Sequence, residues 1–270
     1  MASILSQIRQ LNGLGDRSIA EPFAGGAGAS LALLLLEEAP EIFINDADVA
    51  VHDFWWSLLK RSKEFLGLLS SATIDMAEWQ KQRAVYRSPG RIRRLDRGFA
   101  TFYLNRCNRS GIIVNGGPIG GVDQTGKWKL DARFNKPELR RRCEKISEYR
   151  DRIHISNVDG LAFLASFEAA ATFFFIDPPY FEKSKTLYLN ALNEEYHATL
   201  AEHLSSKQDA AWVLTYDDCP QVRELYRGWA TIRPFSLRYA AAERRNGREV
   251  LIAPRWMRLP TIQESEAISW

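Results

Sequence analysis

The chain has 270 residues, 46% of them hydrophobic, and a formal net charge of +3. That length suits one large α/β domain or a domain with a sizeable insertion, and no apolar run reaches the ~20 residues of a membrane-spanning helix. The three cysteines, Cys107, Cys143 and Cys219, show no CxxC spacing and give no sign of a zinc site or a disulfide framework. The first residues lack the features of a secretory signal, so we expect an intracellular globular protein with free thiols.

The first predicted elements are a strand, a glycine turn, a helix and a second strand. Residues 18–24 (SIAEPFA) are apolar and run into GGAGAS. The apolar stretch LALLLLEEA follows at helical length, and residues 41–48 (EIFINDAD) alternate as a short strand. This order is typical of the opening unit of a doubly wound parallel sheet.

The pattern changes between residues 54 and 150, where Trp, Arg and Lys are frequent. Residues 81–97 carry seven basic side chains against one acid, which indicates either a polyanionic partner or a solvated helical face. A glycine-rich hairpin or extended loop is predicted before the last helix of this region. The predicted helices span residues 54–70, 75–86, 91–106 and 136–150.

The alternation of strands and helices then resumes in the last part of the chain. The stretches RIHISNVDGLAFLASF and ATFFFIDPPY each begin with a strand, and a helix (193–206), a strand (210–218) and a helix (219–229) follow. The final pair of strands is TIRPFSLRYA and GREVLIAP. We therefore predict one α/β domain built from residues 1–53 and 151–270, interrupted by a mostly helical insertion at 54–150.

The glycine turn at residues 21–30 (EPFAGGAGAS) is a candidate ligand site. Glycines between a strand and a helix let a ligand approach the backbone and use the positive end of the helix dipole. The GxGxxG fingerprint is incomplete because Leu31 follows Ser30, which disfavours an NAD-dependent dehydrogenase. Asp46 ends the second strand about 20 residues later, where α/β sites bind ribose hydroxyls, although it also suits a turn or a helix cap. Together the two features favour a cofactor that contains adenosine.

The stretch ATFFFIDPPYF, residues 171–181, places an acid and two prolines at the end of an apolar strand. Asp177 lies at the carboxyl end of this strand, where open α/β sheets bind ligands. Pro178 and Pro179 supply no N–H, so local carbonyls face outward without an internal donor. One carboxylate and one carbonyl suit a planar NH₂ group, and Tyr180 offers a ring on which a base can stack. The alternative is a turn that merely ends a buried strand.

Taken with the motifs around it, DPPY resembles the Dam-like, D12 class of DNA adenine N6-methyltransferases. The similar segments are EPFAGGAG, INDAD, FYLNRCNRSGIIVNGGPIGG, VDG and GREVLIAP, in the family's order over residues 18–254. The resemblance implies a Rossmann-like methyltransferase fold with a mostly parallel, doubly wound sheet and an antiparallel C-terminal hairpin. It also implies that the insertion at 54–150 recognises the DNA target.

The resemblance further implies the chemistry and its residues. S-adenosyl-L-methionine would donate a methyl group to the exocyclic amine of a flipped-out adenine by direct in-line displacement. The implied catalytic residues are Asp177, Pro178, Pro179 and Tyr180. The implied cofactor-binding residues are Pro22, Phe23, Ala24, Gly25, Gly26, Gly28, Asp46, Asp159 and Asp177.

The expected partner is duplex DNA, read sequence-specifically by a monomer of bacterial or phage type that is cytoplasmic, nucleoid-associated and not bound to a membrane. Arg and Asn read base edges, while Asn105 and Arg106 could equally brace the insertion against the catalytic domain. The candidate DNA-binding residues are Asn105, Arg106, Asn108, Arg109 and Asn115.

Two alternatives stay open at this point: an RNA adenine N6-methyltransferase, and a catalytically weak DNA-binding relative. The first fifteen residues lack the lysine and the aromatic residue that relatives carry there, so Gln7, Asn12 or a backbone group would replace them or cofactor binding would weaken. The GGPIGG segment also departs from relatives that carry Arg and Asn. The target sequence cannot be transferred from them.

Overall fold

The structure, a computed structural model, describes residues 1–88, 90–181, 192–237 and 247–261. The chain divides into two compact units, which we name the sheet unit, Met1–Ala47 with Arg152–Trp270, and the helical unit, Asp48–Asp151. The helical unit begins before residue 54 because its first helix starts at Val49, where the Asp48 carboxylate accepts the N–H of Ala50 and caps the helix. The roles predicted for the two domains stay predictions.

The sheet unit contains a seven-stranded sheet in the order β3-β2-β1-β4-β5-β7-β6. The first five strands in this order are parallel, and β7 is antiparallel to both β5 and β6. This confirms the predicted mostly parallel, doubly wound sheet with an antiparallel C-terminal hairpin. The strands are β1 (Ser18–Glu21), β2 (Ile42–Asn45), β3 (Ile153–Ser156), β4 (Thr172–Ile176), β5 (Ala211–Asp217), β6 (Ala230–Leu237) and β7 (Gly247–Pro254).

The strands match the predicted segments; β7 coincides with GREVLIAP, while β4 and β5 are shorter than predicted. β1 ends at Glu21 because Pro22 cannot donate to the ladder. Pro234 lies in β6, the edge strand next to β7. Edge strands accept proline because one of their sides needs no donor for a ladder. The last three residues of the predicted strand TIRPFSLRYA, 238–240, lie outside the described residues.

Helices flank the strands along the chain. The first helix was not predicted; it buries Ile4, Leu5 and Ile8, and the guanidinium Nη2 of Arg9 donates to the carbonyls of Gly15, Arg17 and Glu38. The helices of the sheet unit are α1 (Ala2–Leu11), α2 (Gly28–Leu35), α8 (Gly160–Ala165), α9 (Glu194–Ser205) and α10 (Pro220–Tyr226).

The helical unit is built around aromatic side chains, with Phe65 and Phe102 in edge-to-face contact at 5.4 Å. The helix predicted at 54–70 is two helices that join near Arg61. The glycine-rich stretch forms an extended loop with one isolated antiparallel bridge, Asn108 to Pro118, among its described residues. The helices of this unit are α3 (Val49–Lys60), α4 (Ser62–Ser71), α5 (Met76–Arg87), α6 (Arg94–Cys107) and α7 (Lys136–Glu148).

The core of the sheet unit follows β4 and β5, whose residues are all buried. Central parallel strands are covered on both faces, which explains their continuous apolar runs. Trp212 of β5 is completely buried in this core. In the part of the chain that the structure describes, no helix combines the length and apolar character needed to cross a bilayer.

The strand order reverses between β1 and β4, which are neighbours although two strands separate them in the chain. In open α/β sheets a ligand crevice lies at such a switch point, outside the carboxyl ends of the strands. Ala20 of β1 pairs with Phe174 of β4, so the two strands end at similar heights. The glycine turn follows the carboxyl end of β1. The corner formed by Asp177, Pro178 and Pro179 follows the carboxyl end of β4.

Candidate active site

The turn after β1 presents backbone groups at the edge of the sheet. Gly25 adopts the left-handed region with φ of +47°, which glycine tolerates at little cost. A Cβ atom added at Gly25, Gly26 or Gly28 would meet no other atom within 4 Å, so the space beside these glycines is open. A ligand can therefore approach this backbone closely.

The residues just before Gly25 anchor the turn. Pro22 and Ala24 are buried, and the Ala24 N–H donates to the Asn45 carbonyl at 2.8 Å. Phe23 packs against the start of α8, where a Cβ added at Gly160 would lie 2.6 Å from the Phe23 ring. The glycine in the VDG motif thus makes room for the aromatic residue of the glycine turn.

Asn45, the last residue of β2, joins three segments through its buried amide. Its Nδ2 donates to the carbonyls of Pro22 at 3.0 Å and Val158 at 2.9 Å. Its Oδ1 accepts from the hydroxyl of Ser156 at 2.9 Å and from the N–H of Val158 at 3.0 Å. A saturated buried amide of this kind fixes the turns after β1, β2 and β3 relative to one another.

Asp46 follows Asn45 and is half-buried at the carboxyl end of β2. Its Oδ2 accepts the backbone N–H of Gly25 at 2.9 Å, so the carboxylate and the glycine turn are in direct contact. A carboxylate offers about four lone-pair sites, and a ribose hydroxyl can share it with this N–H. The two features that the sequence combined into a cofactor site therefore lie together.

Asp159 lies at the third turn and caps α8. Its Oδ1 accepts the N–H groups of Leu161 at 2.9 Å and Ala162 at 3.2 Å. Its Oδ2 accepts the hydroxyl of Tyr196 at 2.9 Å. These bonds give the carboxylate a structural role at the helix start, and its contact with a cofactor stays a prediction.

Asp177 leaves the end of β4, and its Oδ1 accepts the hydroxyl of Thr215 at 2.5 Å. The pKa of Asp177 is raised to about 6. Burial is the largest cause, the hydrogen bond from Thr215 acts in the opposite direction, and the charge of Glu249 adds to the increase. The side chain is nonetheless exposed. The protein mass around the carboxyl group desolvates it, while one side stays open to solvent. Pro178 is buried and Pro179 half-buried, so the corner after Asp177 is held in place.

Two bonds fix the residues after the prolines. The hydroxyl of Tyr180 donates to Oε1 of Glu249 at 3.0 Å. The N–H of Phe181 donates to Oδ1 of Asp217 at 2.9 Å. Asp217 and Glu249 are paired across β5 and β7, and both are buried. The paired ends of β5 and β7 thus supply the acceptors that orient this corner.

Glu21, the last residue of β1, is buried beneath the glycine turn and accepts a hydrogen bond from Ser30. The pKa of Glu21 is raised to about 8. Burial is the largest cause, the bond from Ser30 opposes it, and the charges of Asp177 and Asp46 add to the increase. The influence of both aspartates on one carboxyl group shows that the ends of β1, β2 and β4 share one edge. Glu21 itself holds a proton at neutral pH.

In the helical unit, Asn105 and Arg106 bind each other. Asn105 donates through Nδ2 to the carbonyl of Gly111 at 3.1 Å, and its Oδ1 accepts from Nε of Arg106 at 3.1 Å. Burial lowers the pKa of Arg106 to about 10, and the neighbouring charges of Arg133 and Arg142 add to this effect. These bonds hold the two side chains within the helical unit, and both interpretations that the sequence left open stay predictions.

The other three DNA-binding candidates divide by exposure. Asn108 is 1% exposed, its Nδ2 donates to the Ile112 carbonyl at 2.7 Å, and its Oδ1 accepts Nε1 of Trp79 at 2.8 Å. These internal bonds favour a structural role for Asn108. Arg109 and Asn115 are exposed and can reach a partner.

Three residues that the sequence reasoning missed gain importance in the structure. Thr215 and Glu249 contact Asp177 and Tyr180 from strands that are distant in sequence, so no local signal marks them. Trp128 is 66% exposed, and Nζ of Lys127 lies 5.6 Å from its ring centroid. The aromatic residue between two lysines in KWK was a readable signal for stacking on a polyanion.

The comparison with known families agrees with this geometry. No curated protein matches the chain. A family model of D12 class N6 adenine-specific DNA methyltransferases matches residues 2–241, a span that includes the glycine turn, Asp46, Asp159 and the Asp-Pro-Pro-Tyr corner. The chain therefore belongs to the D12 class N6 adenine-specific DNA methyltransferase family.

Proposed function

We propose that the protein transfers a methyl group from S-adenosyl-L-methionine to the N6 amine of an adenine flipped out of duplex DNA, by direct in-line displacement. The observation that carries this proposal is the position of Asp177. Its carboxylate is held by Thr215, stays open to solvent on one side, and lies at the same sheet edge as the glycine turn.

The residues after β1 and β2 fit the proposed cofactor. The open space beside Gly25, Gly26 and Gly28 admits the methionine end, and Asp46 lies where it can accept from a ribose hydroxyl. The ring of Phe23 provides an apolar surface, and Asp159 lies at the turn after β3. When bound, S-adenosyl-L-methionine supplies an electrophilic methyl group on its sulfonium.

Asp177 and Pro178 would prepare the amine. The lone pair of adenine N6 is delocalised into the ring, so the amine is a poor nucleophile. Hydrogen bonds from N6 to the Asp177 carboxylate and to the Pro178 carbonyl favour a pyramidal nitrogen with a localised lone pair. With a pKa of about 6, Asp177 is mostly ionised near neutral pH and acts as the acceptor that this role requires.

Tyr180 would hold the flipped base. An adenine inside a duplex cannot enter a corner of this kind, so the nucleotide must leave the stack. The bond from the Tyr180 hydroxyl to Glu249 fixes one edge of the ring and orients its faces. An aromatic face held in this way suits stacking on a planar base.

The helical unit would bind the DNA. The basic residues within 81–97 can neutralise phosphates, while Arg109 and Asn115 are exposed for contact with bases or backbone. Trp128 adds an exposed ring beside Lys127. We propose sequence-specific binding by a monomer; the location beside the nucleoid in the cytoplasm stays a prediction.

The proposal is tested by incubating the purified chain with plasmid DNA and methyl-labelled S-adenosyl-L-methionine, followed by sequencing that detects N6-methyladenine. We expect label in DNA, at adenines within one recurring sequence. Asp177→Ala should lower the rate about 100-fold or more, while its melting temperature stays equal to or above that of the wild type. The same assay with RNA of matched sequence is the control for substrate class.

Three results would contradict the proposal. Label that enters RNA but not DNA would reassign the substrate. Cofactor binding in calorimetry without any transfer to DNA would identify a catalytically silent relative. Full activity in Asp177→Ala would remove the proposed role of the corner.

A further inference from the structure

Thr215 is placed by the sheet directly beside Asp177. Ile176 pairs with Leu214 across β4 and β5, so the next residue of each strand lies just past the end of this ladder. Thr215 is 2% exposed, and its hydroxyl lies 2.5 Å from Oδ1 of Asp177, against 3.5 Å from the Ile176 carbonyl. The short contact shows which acceptor the hydroxyl uses.

We propose that Thr215 is a positioning residue, which holds one oxygen of Asp177 and thereby directs the carboxylate toward the substrate amine. This inference rests on the function proposed above. In the part of the chain that the structure describes, Thr215 is the hydrogen-bond donor to Asp177. Without it, rotation about the side-chain bonds would let the carboxylate leave the productive orientation.

The strand makes Thr215 a firm support. β5 is paired with β4 on one side and with β7 on the other, so its backbone is fixed by two ladders. A β-branched side chain has restricted χ1 freedom, and the hydroxyl therefore points in a defined direction. Valine has nearly the same shape but no donor, whereas serine keeps the donor.

Charged groups around Asp177 determine how the hydroxyl affects its titration. Glu249 on β7 disfavours a negative charge on Asp177, and the α-amino group of Met1 favours it. Glu21 at the end of β1 is protonated in the pH range where Asp177 titrates, and Asp217 lies farther along β5. The bond from Thr215 favours the ionised carboxylate, while burial disfavours it. Loss of the hydroxyl should therefore raise the pKa of Asp177.

The test compares Thr215→Val and Thr215→Ser with the wild type, using plasmid DNA and labelled S-adenosyl-L-methionine. We expect kcat to fall about 10-fold to 100-fold in Thr215→Val, because the lost bond involves a charged acceptor. KM for DNA and for the cofactor should stay within about two-fold, and Thr215→Ser should recover most of kcat. The acidic limb of the rate profile should move to higher pH in Thr215→Val.

Thr172→Val is the matched control, since Thr172 is buried at the opposite end of β4. It should leave kcat and the acidic limb unchanged. If Thr215→Val does not fold, Thr215→Ala removes the hydroxyl without adding bulk. Titration of carboxyl-labelled Asp177 by NMR gives the pKa directly and does not require turnover.

The outcomes separate the two proposals. A wild-type chain that methylates adenine, with Thr215→Val equal to it in kcat, pH profile and Asp177 titration, overturns the role of Thr215 alone. A wild-type chain that transfers no methyl group to DNA overturns the proposed function. In that case an unchanged Asp177 pKa in Thr215→Val also refutes the contact between the two side chains.

Discussion

The hydroxyl of Tyr180 donates a 3.0 Å hydrogen bond to Oε1 of Glu249, which pairs with Asp217 at the end of the antiparallel ladder between β5 and β7. Glu249 is buried, and its charge also raises the pKa of Asp177. One carboxylate therefore orients the aromatic residue of the corner and weakens the acidity of its aspartate. The two effects can be separated by mutation.

Glu249→Gln should move the acidic limb of the methylation rate to lower pH. The wild-type rate should fall as pH decreases through about 6, because protonated Asp177 is a poorer acceptor for the amine. Removal of the negative charge at residue 249 lowers the pKa of Asp177, so the variant keeps a larger fraction of its maximal rate at acidic pH. Initial rates measured across the acidic range test this expectation.

The matched control for Glu249→Gln is Glu202→Gln, which removes the same charge from an exposed position on α9. It should leave the pH profile where it is. An acidic limb that is the same in Glu249→Gln and in the wild type would contradict the electrostatic coupling between Glu249 and Asp177.

Tyr180→Phe and Tyr180→Ala separate the hydroxyl from the ring. Phenylalanine keeps the ring and loses only the bond to Glu249, so we expect a loss of about 10-fold or less in kcat. Alanine also removes the ring on which we propose that the base stacks, and kcat/KM should fall further, by about 10-fold or more. Single-turnover rates measure both, and equal rates in the two variants would argue against stacking on Tyr180.

Glu21 should make stability depend on pH. Its carboxyl has a pKa of about 8 in the folded protein against an ordinary value of 4.5, so the folded state binds this proton more tightly than the unfolded state does. Its contribution to stability is full below the ordinary value and is lost as pH rises toward 8, with a slope of at most about 1.4 kcal/mol per pH unit.

Glu21→Gln removes this titration while keeping an acceptor for Ser30. The free energy of unfolding in urea, measured for both proteins from pH 5 to about 8, should show a wild-type advantage that shrinks as pH rises. A difference that stays constant across this range would show that Glu21 titrates normally.

Arg109→Ala and Asn108→Ala should have opposite phenotypes although the residues are neighbours. Arg109 is exposed, and its loss should weaken DNA binding and reduce the salt slope by about 1 if it contacts a phosphate. Asn108 is buried, and its loss leaves Nε1 of Trp79 and the Ile112 carbonyl without their partner. That should cost about 1–3 kcal/mol of stability with little effect on intrinsic DNA affinity.

DNA affinity at several salt concentrations and melting temperature distinguish the two variants. A stable Asn108→Ala protein with altered target preference would restore the base-reading interpretation for that residue. An unchanged affinity in Arg109→Ala would remove Arg109 from the proposed DNA surface.

The sequence predicts the sheet well because its strands have local signals. β4 and β5 read as continuous apolar runs, as buried parallel strands do, and β1 and β2 each end at a turn residue. α1 is not among the predicted elements, although its buried residues Ile4 and Ile8 follow helical spacing. α2 starts at Gly28, within the glycine-rich stretch, because the left-handed Ala27 just before it turns the chain into the helix.

The sequence predicts only those residues of the candidate site that follow the end of a single strand. Gly25, Asp46 and Asp177 carry such local signals, and their neighbourhood at one edge follows from parallel strand order. The position of Thr215 beside Asp177 depends on the register of β4 with β5. The position of Glu249 depends on β7 lying between β5 and β6 and on the register of its pairing with β5. Neither the order nor the register can be read from a local pattern.

The position of β7 also has a consequence for protein synthesis. During translation Asp177 and Tyr180 leave the ribosome long before Glu249, although β7 pairs directly with β5 in the finished sheet. A nascent chain that stops short of residue 247 has an open edge along Leu214–Asp217 and no acceptor at residue 249 for the Tyr180 hydroxyl. The corner is therefore completed late, when β7 leaves the ribosome and pairs with β5.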